Sequence, residues 1–398
     1  MGSYDTIIIG GGAAGIVAAI TARRNGRSVL LCEKMPKLGK KLLVTGAGRC
    51  NLLNERMDAS FYNPEARELV GTVFKRYGKG PILDFFRELG LHTWTDEAGR
   101  IFPVTQQAAS VLKVLEIELS RLEIPVRLNA GVRDIRAVSG AFEVRTGSGE
   151  RFVCARVILC AGGKSYPALG ADGGGYALAQ KCGHTLVEPV PCVVPLLVKD
   201  PWCHALQGQR VRAKVRAYLR DRPLGESLGE LLFTQYGLSG TVILDISREI
   251  SIAANRDGQK NIFVIADLVP WLTEDAVGRE LTERMEKGVP PEAILEGLLP
   301  HKFSPLFQEI ARKKDIAGLV KGLKHRSFQV SGTRGWNESE FTAGGVPASE
   351  VDPGTLGSKR KKGLHLAGEV LDVQGARGGY NLAWAWASGM MAGASVSG

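Results

Sequence analysis

Several things are missing from this chain, and each absence removes a class of function. Its seven cysteines are Cys32, Cys50, Cys154, Cys160, Cys182, Cys192 and Cys203, an odd number with no CxxC pair. That excludes a disulfide framework, an iron–sulfur site and a redox dithiol, and it predicts reduced thiols in a cytoplasmic setting. No apolar run approaches 18 residues, so no membrane span is expected. The N-terminus lacks the charged and apolar regions of a signal peptide. Met1 to Thr6 match a myristoylation pattern only formally, because a buried strand starts directly behind them. The six histidines show no metal-ligand spacing and Cys203-His204 is an isolated pair, so no metal site is expected. No GxSxG occurs, which leaves hydrolase chemistry poorly supported. There is no internal repeat and no low-complexity tract.

What is abundant is glycine. The 50 glycines among 398 residues are roughly 13%, against a usual ~7%, and they cluster at a few turns, where a backbone can approach a ligand closely. The length suits two or three domains, and 44% apolar residues suffice for a sizeable core. Lys plus Arg exceed Asp plus Glu by 51 to 41, a net +10, which permits an anionic partner. Basic runs occur at Lys34 to Lys41, Arg210 to Arg220, Arg312 to Arg326 and Lys359 to Lys362. They read either as solvated faces or, with Tyr218 and Trp336 near two of them, as an RNA-binding surface.

The sharpest signal is at the start. Thr6 to Ile9 form a short β-branched run, followed by Gly10-x-Gly12-x-x-Gly15 and a helical stretch from Ala13 to Arg24 that ends at Asn25-Gly26. A second apolar run, Ser28 to Cys32, ends at Glu33, 18 residues after Gly15. This is a βαβ dinucleotide fingerprint. Gly10 allows the tight turn, Gly12 the approach of a pyrophosphate and Gly15 close helix–strand packing, while Glu33 would accept from ribose hydroxyls. The pattern alone allows FAD or NAD. Three features favour FAD: the strand start Gly131-Val132, the strand Val157 to Cys160 ending in Ala161-Gly162-Gly163, and a C-terminal return at Gly363 to Glu369. After that return comes the Gly-rich turn Gly375 to Gly379 and a helix from Tyr380, whose N-terminus could stabilise charge on a reduced flavin.

Between these ends the pattern predicts helices over Arg67 to Gly90 and Ala108 to Leu122, then strands at 126–128, 132–138, 142–146 and 153–160. Pro189, Pro191 and Pro195 read as a linker. Gln209 to Arg220 alternates apolar and basic residues, a half-buried strand. Further strands are expected at Thr241 to Ile246, Asn261 to Ile265 and Ser327 to Val330, with helices over 273–323. The fold class expected is therefore α/β: a Rossmann-like FAD-binding domain at 1–192 and 341–398, an inserted β domain at 193–268 and 325–340, and a helical subdomain at 269–324.

The chain resembles the BaiN/RdsA-type family of NAD(P)/FAD-dependent oxidoreductases. The matching segments are Gly10 to Gly15, Thr45-Gly46-Ala47-Gly48-Arg49-Cys50-Asn51, Gly229 to Thr234, Gly237 to Gly240, Thr342 to Val346, Gly368 to Asp372 and Gly378-Gly379-Tyr380-Asn381-Leu382. The resemblance implies a glutathione-reductase-like FAD domain, a β-barrel-like insertion and a small helical subdomain. It also implies bound FAD, NAD(P)H as a transient electron donor, and hydride addition to an activated C=C. The cofactor contacts expected are Gly10, Gly12, Ala13, Ala14, Gly15, Glu33, Lys34, Lys41, Thr45, Gly46, Gly48, Arg49, Cys50, Asn51, Val132, Ala161, Gly162, Gly163, Gly368, Glu369, Asp372, Gly378, Gly379, Tyr380, Asn381 and Leu382.

Asp172 to Tyr176 resembles a helix-opening turn that related reductases place near flavin or substrate. No second nucleotide domain is visible. Cys50 is the candidate proton donor, its thiol pKa lowered by Arg49; the alternative is a small residue packed beside the cofactor. Two departures are Ala376-Arg377, where a less basic pair is expected, and Gln235-Tyr236, where relatives often have His-Tyr. The substrate expected first is uridine in large-subunit (23S) ribosomal RNA, giving dihydrouridine. The alternatives are a small hydrophobic, bile-acid-like enone, or a flavin-binding RNA assembly factor without turnover.

Overall fold

A computed structural model of the chain describes residues 2–396; Met1, the first residue of the myristoylation-like pattern, lies outside the described residues. The N-terminal apolar run forms β1 (Gly2–Ile9), which buries Ile7, Ile8 and Ile9. It pairs in parallel with β2 (Val29–Cys32) on one side and β3 (Arg151–Leu159) on the other. The sheet continues from β2 to Val126–Arg127, and from β3 to the antiparallel strands Ala141–Thr146 and Val132–Val138. The chain returns late, at Leu364–Leu366, to pair in parallel with β3. Parallel strands buried on both faces need covering helices.

One cover is α1 (Ala13–Arg24), whose residues Ala14 to Ile20 are all buried. A helix that is apolar all round lies between layers rather than on a surface. Its second neighbour is the C-terminal helix Tyr380–Ser395, where added Cβ atoms at Gly389 and Gly393 would sit 2.5 and 2.6 Å from the carbonyls of Ala14 and Ala18. The helix expected over 67–90 is two, Arg67–Arg76 and Lys79–Glu88, interrupted at Tyr77-Gly78.

The chain divides into two compact units, one running to Pro189 and resuming at Phe341, the other Val190–Glu340. The second contains a closed antiparallel barrel. Its strands, in order, are Leu196–Val198, Gly237–Ser239, β5 (Arg222–Thr234), β4 (Arg210–Leu219), Ile262–Asp267 and Arg326–Thr333. The apolar side of β4, with Val211, Ala213, Val215 and Ala217, is buried. Helices Glu274–Glu286, Ser304–Arg312 and Ile316–Lys324 add a second layer within that unit.

Two expectations fail. Thr241 to Ile246 is not a strand but the start of α2 (Thr241–Ser251). Its β-branched residues mimic a strand locally, yet Val242, Ile243, Ile246 and Ile250 are buried at helical spacing, and burial decides. Pro189 and Pro191 lie in the strand Val187–Cys192 rather than in a linker. That strand belongs to a two-stranded sheet, where every strand is an edge and proline costs little.

Candidate functional site

The three glycines of the fingerprint have three separate reasons. Gly10 has φ +108, and a Cβ there would lie 2.4 Å from the Cys160 carbonyl. At Gly15 a Cβ would lie 1.8 Å from the Gly10 carbonyl. At Gly12 it would meet nothing within 4 Å. The first two glycines close the backbone; the third borders open space. Gly12 caps α1 without any side-chain bond, and Ile16 already donates back to its carbonyl at 3.0 Å. The N–H groups of Ala13, Ala14 and Gly15 therefore have no helical partner and face outward with the positive end of the helix dipole.

Glu33 closes this turn from below. Its two oxygens accept the N–H of Gly11 at 2.6 Å and of Met35 at 2.7 Å. The strand that begins at Val132 starts alongside, since Ala130 donates to the Glu33 carbonyl at 2.8 Å and a Cβ on Gly131 would lie 3.2 Å from Lys34 Cβ. The structure thus brings Glu33 and the start of the Val132 strand side by side. Lys34 is engaged differently: its ammonium pairs with Asp172 at 2.5 Å, fastening the Asp172–Tyr176 turn to the end of β2.

A second node is Glu369. It accepts from Lys41 at 2.8 Å, from the Thr342 N–H at 2.8 Å and from Ser165 Oγ at 3.3 Å, and Lys41 also reaches Ser165 Oγ at 2.5 Å. Gly163 is required here, because its Cβ would stand 2.4 Å from Thr342 Oγ1. Ala161 packs against Gly175, where a Cβ would lie 2.7 Å from its own. Gly162 and Gly368 both take positive φ, +73 and +75. Ser165 and Thr342 were not expected as site residues; the motif containing Thr342 was visible, the role of its hydroxyl and N–H was not. Tyr176 is also buried here, and its hydroxyl, within reach of Thr342, makes no hydrogen bond of normal geometry. Burial, with the Glu369 carboxylate adding to it, pushes that phenol far up, so it remains a donor.

The third wall is the loop Thr45–Asn51. Gly46, Ala47, Gly48 and Cys50 all have φ between +56 and +83. Two of them are not glycines, so the loop stores backbone strain of the kind found at functional sites. It is held by Cys50 N–H to the Thr45 carbonyl at 2.9 Å and by Ala108 N–H to the Gly48 carbonyl at 2.8 Å. Asn51 ends it with a buried Oδ1 that has no partner among the described residues, 2.8 Å from where a Gly379 Cβ would be. Gly379, φ +103, caps the C-terminal helix without a side-chain bond, leaving a second uncapped helix start. Gly378 is fixed by Asn54, which donates to its carbonyl at 3.0 Å.

Four expected contacts have side chains occupied by structure. Asp372 accepts the Gly344 N–H at 3.0 Å and also bonds Gln374. Asn381 clasps both backbone groups of Gly375 at 2.9 Å. The Tyr380 ring stacks on Phe61 at 4.5 Å, and its carbonyl accepts from Tyr62 at 2.6 Å. Leu382 is partly buried against the core. Asp372, Asn381 and Tyr380 thus have side chains engaged in local structure, while Leu382 packs only in part against the core.

Cys50 requires a correction. Its thiol is fully buried, and desolvation drives its pKa up to about 12 against a weaker pull from Thr45. Arg49 does not lower it. The guanidinium lies over the Phe102 ring at 5.0 Å, and its Nε donates to the Gly46 carbonyl at 3.2 Å. The thiol stays neutral, and the packed-residue alternative describes its surroundings.

An open space beside Gly12, two uncapped helix starts, a pinned acid at the end of β2 and an orphaned Asn51 oxygen are features that a bound dinucleotide would fit. Comparison with known proteins agrees. The family model described as the HI0933-like protein Rossmann domain matches residues 4–395. A 3-dehydro-bile acid delta(4,6)-reductase of Clostridium scindens is 40% identical over 405 residues, covering 98% of each chain. A ribosomal RNA dihydrouridine synthase of Haemophilus influenzae is 29% identical over 411 residues, 99% of this chain and 98% of that one. Among solved structures, 3-ketosteroid-Δ4-(5α)-dehydrogenase from Rhodococcus jostii superposes with a TM-score of 0.53 at 16% identity, covering 100% of this chain and 97% of that one, which shows a shared fold.

Proposed function

The chain belongs to the HI0933-like Rossmann family, an FAD-type oxidoreductase family, and from that membership we propose that it is a reductase of an activated C=C bond in a small fused-ring enone. FAD, when bound, supplies the two-electron chemistry. The chain supplies the cradle: the first-turn N–H groups of α1 for the pyrophosphate, Glu33 and the Val132 backbone for the adenosine end, and the start of the C-terminal helix with Asn51 for the ring system. Glu369, held by Lys41, Ser165 and Thr342, fixes the strand ends on which these groups sit.

The observation that carries the substrate reading is full-length similarity, at 40% identity, to a reductase of a bile-acid intermediate. The charge pattern of β4 favours it as well. Arg210 pairs with Glu230 at 2.6 Å, and Lys214 and Arg216 pair with Glu226 at 3.1 and 3.5 Å. Three of the five basic residues of that row are thus tied to two glutamates of β5, which leaves less of it for a phosphate backbone. The second reading, uridine reduction in ribosomal RNA, is favoured by the 29% relative, equally full-length, and by the net +10 charge.

One experiment separates them. The flavin-loaded protein is reduced anaerobically with dithionite and mixed with a bile acid bearing a 3-oxo-4,6-diene, and flavin absorbance is followed. Reoxidation with stoichiometric loss of the diene is expected. No reoxidation by the dienone, together with loss of one ribosomal dihydrouridine in cells lacking the gene, would transfer the function to RNA.

A further inference from the structure

The loop Thr45–Asn51 carries a cation that no acid neutralises. Arg49 is exposed, and among the described residues its partners are the Gly46 carbonyl and the face of Phe102, with no ion pair. Phe102 is only 2% exposed and lies against Trp94, its directly paired neighbour across a small antiparallel sheet, with centroids 5.9 Å apart and planes 26° from parallel. Trp94 is 39% exposed, a large area for an indole. Arg100 also lies near the Phe102 ring, at 5.8 Å, but its guanidinium is held by Asp96 at 2.7 Å. Val44, just before the loop, and Val104, just after the strand that carries Phe102, are 46% and 53% exposed. The result is a laminate: a buried phenyl supporting an exposed indole and one guanidinium without an ion pair among the described residues.

Its place matters as much as its composition. The segment leading into the loop is tied to the fingerprint by the Gly39 N–H, which donates to the Gly11 carbonyl at 2.9 Å. The far end of the loop, Asn51, abuts Gly379 at the start of the C-terminal helix. The laminate is therefore attached to the segment joining the two helix starts that the flavin reading assigns to the cofactor. A planar ring stacks on an indole whatever its substituents, and a guanidinium on an aromatic face remains free to bind an oxyanion. A single unspent guanidinium suits a small ligand with one phosphate group at this point, whereas a nucleic-acid strand needs a row of them.

We infer that Trp94, Phe102 and Arg49 form the docking platform for an anionic nicotinamide dinucleotide, an electron donor for which the described residues form no second dinucleotide fold. This rests on the flavin-dependent reading above. Trp94 takes a planar ring of the donor, Arg49 one of its phosphates, and Phe102 holds both in register.

The test measures the two half-reactions of the holoprotein separately. In the first, NADH or NADPH is titrated anaerobically and the bleaching rate of the flavin recorded. In the second, dithionite-reduced protein is mixed with the 3-oxo-4,6-diene. Trp94→Ala and Arg49→Gln should each raise the donor concentration for half-maximal bleaching by about tenfold, with Arg49→Lys recovering part of the loss. For Trp94→Ala the second half-reaction should change far less than the first. Added salt should weaken the donor dependence of the parent protein more than that of Arg49→Gln. If the variants slow reoxidation by the dienone and leave the donor dependence alone, the platform belongs to the substrate and the inference is overturned. It is equally overturned if they weaken binding of a ribosomal RNA fragment and not of the donor, or if neither donor bleaches the parent flavin. In that last case, reoxidation by the dienone still leaves the flavin reading intact; failure of reoxidation alone defeats that reading without touching the donor result. Should Arg49→Gln fail to retain flavin, Trp94→Ala carries the test.

Discussion

At the scale of single residues, the fingerprint glycines make opposite predictions although the motif writes them alike. Gly12→Ala places a methyl in open space at a backbone conformation alanine accepts, φ −86 and ψ −170. Its stability cost should stay under about 1 kcal/mol, that of a poorer N-cap. Flavin retention should nevertheless be lost, because the methyl occupies the approach to the α1 amides. Gly15→Ala drives a methyl to 1.8 Å from the Gly10 carbonyl. That should cost about 3 kcal/mol or more, by opening the turn against β1. Thermal unfolding of the flavin-free proteins, set beside the flavin absorbance of each as purified, distinguishes the two; equal destabilisation would refute the assignment of separate roles. The glycines and Glu33 were legible in the sequence because their spacing encodes a backbone geometry. The left-handed Ala47 and Cys50 were not, because neither residue type advertises positive φ; only the completed loop forces it. The desolvation of Cys50 was invisible for the same reason, since a neighbouring arginine in sequence says nothing about where its side chain goes.

At the scale of elements, alternation was readable where one face is buried and the other wet, as on β4. It failed on β5, which reads Arg222-Pro-Leu-Gly-Glu-Ser-Leu-Gly-Glu and looks like a turn. Its glycines are there for a neighbour. Gly225 faces Ile246, and a Cβ on Gly229 would stand 2.8 Å from Thr241 Oγ1, so α2 lies directly across the strand. A strand thinned by glycine and a helix written in β-branched residues disguise each other: the helix was expected as a strand, and no strand was expected over 222–234. The close approach of α1 and the C-terminal helix has the same origin. Gly389→Ala should push the two helices apart at Ala14, in the first turn of α1, at a cost of about 2 kcal/mol, and Gly389→Val at more. Because that turn holds the pyrophosphate amides, flavin should dissociate more readily as well. Urea unfolding with and without added FAD measures both effects. Destabilisation without any loss of flavin affinity would show that the helix contact does not set the position of the α1 start.

For the whole molecule, two buried groups of the first unit are expected to weaken the fold on the acid side, and their windows follow one another. His365 is buried on the strand that returns to β3, and burial, aided by Arg156, lowers its pKa from the ordinary 6.5 to about 4. The unfolded chain therefore takes up a proton below pH 6.5 that the native protein refuses until about pH 4. Stability is complete above 6.5 and falls as pH drops through this range, by at most about 3 kcal/mol. Glu350 behaves in the complementary way. Burial pulls its pKa upward, but bonds from His184 at 2.7 Å, from the hydroxyl and N–H of Thr185 at 2.9 and 3.1 Å, and from Arg360 at 3.1 Å outweigh it and hold it at about 2. Its contribution is present above the ordinary 4.5 and is lost as pH falls from there to about 2. His184 completes this network through Ser358, whose hydroxyl lies 2.7 Å from Nε2. The Ser358 oxygen already accepts the N–H groups of Arg360 and Lys361, so this serine–histidine–glutamate line is a structural clasp with no lone pair left for attack. Unfolding free energy measured from pH 7.5 to 3 should fall in two stages, the first between 6.5 and 4. His365→Gln, which cannot take up that proton, should flatten the first stage and leave the second in place. A first stage unchanged in His365→Gln would assign it to another group and remove His365 from the account of acid stability.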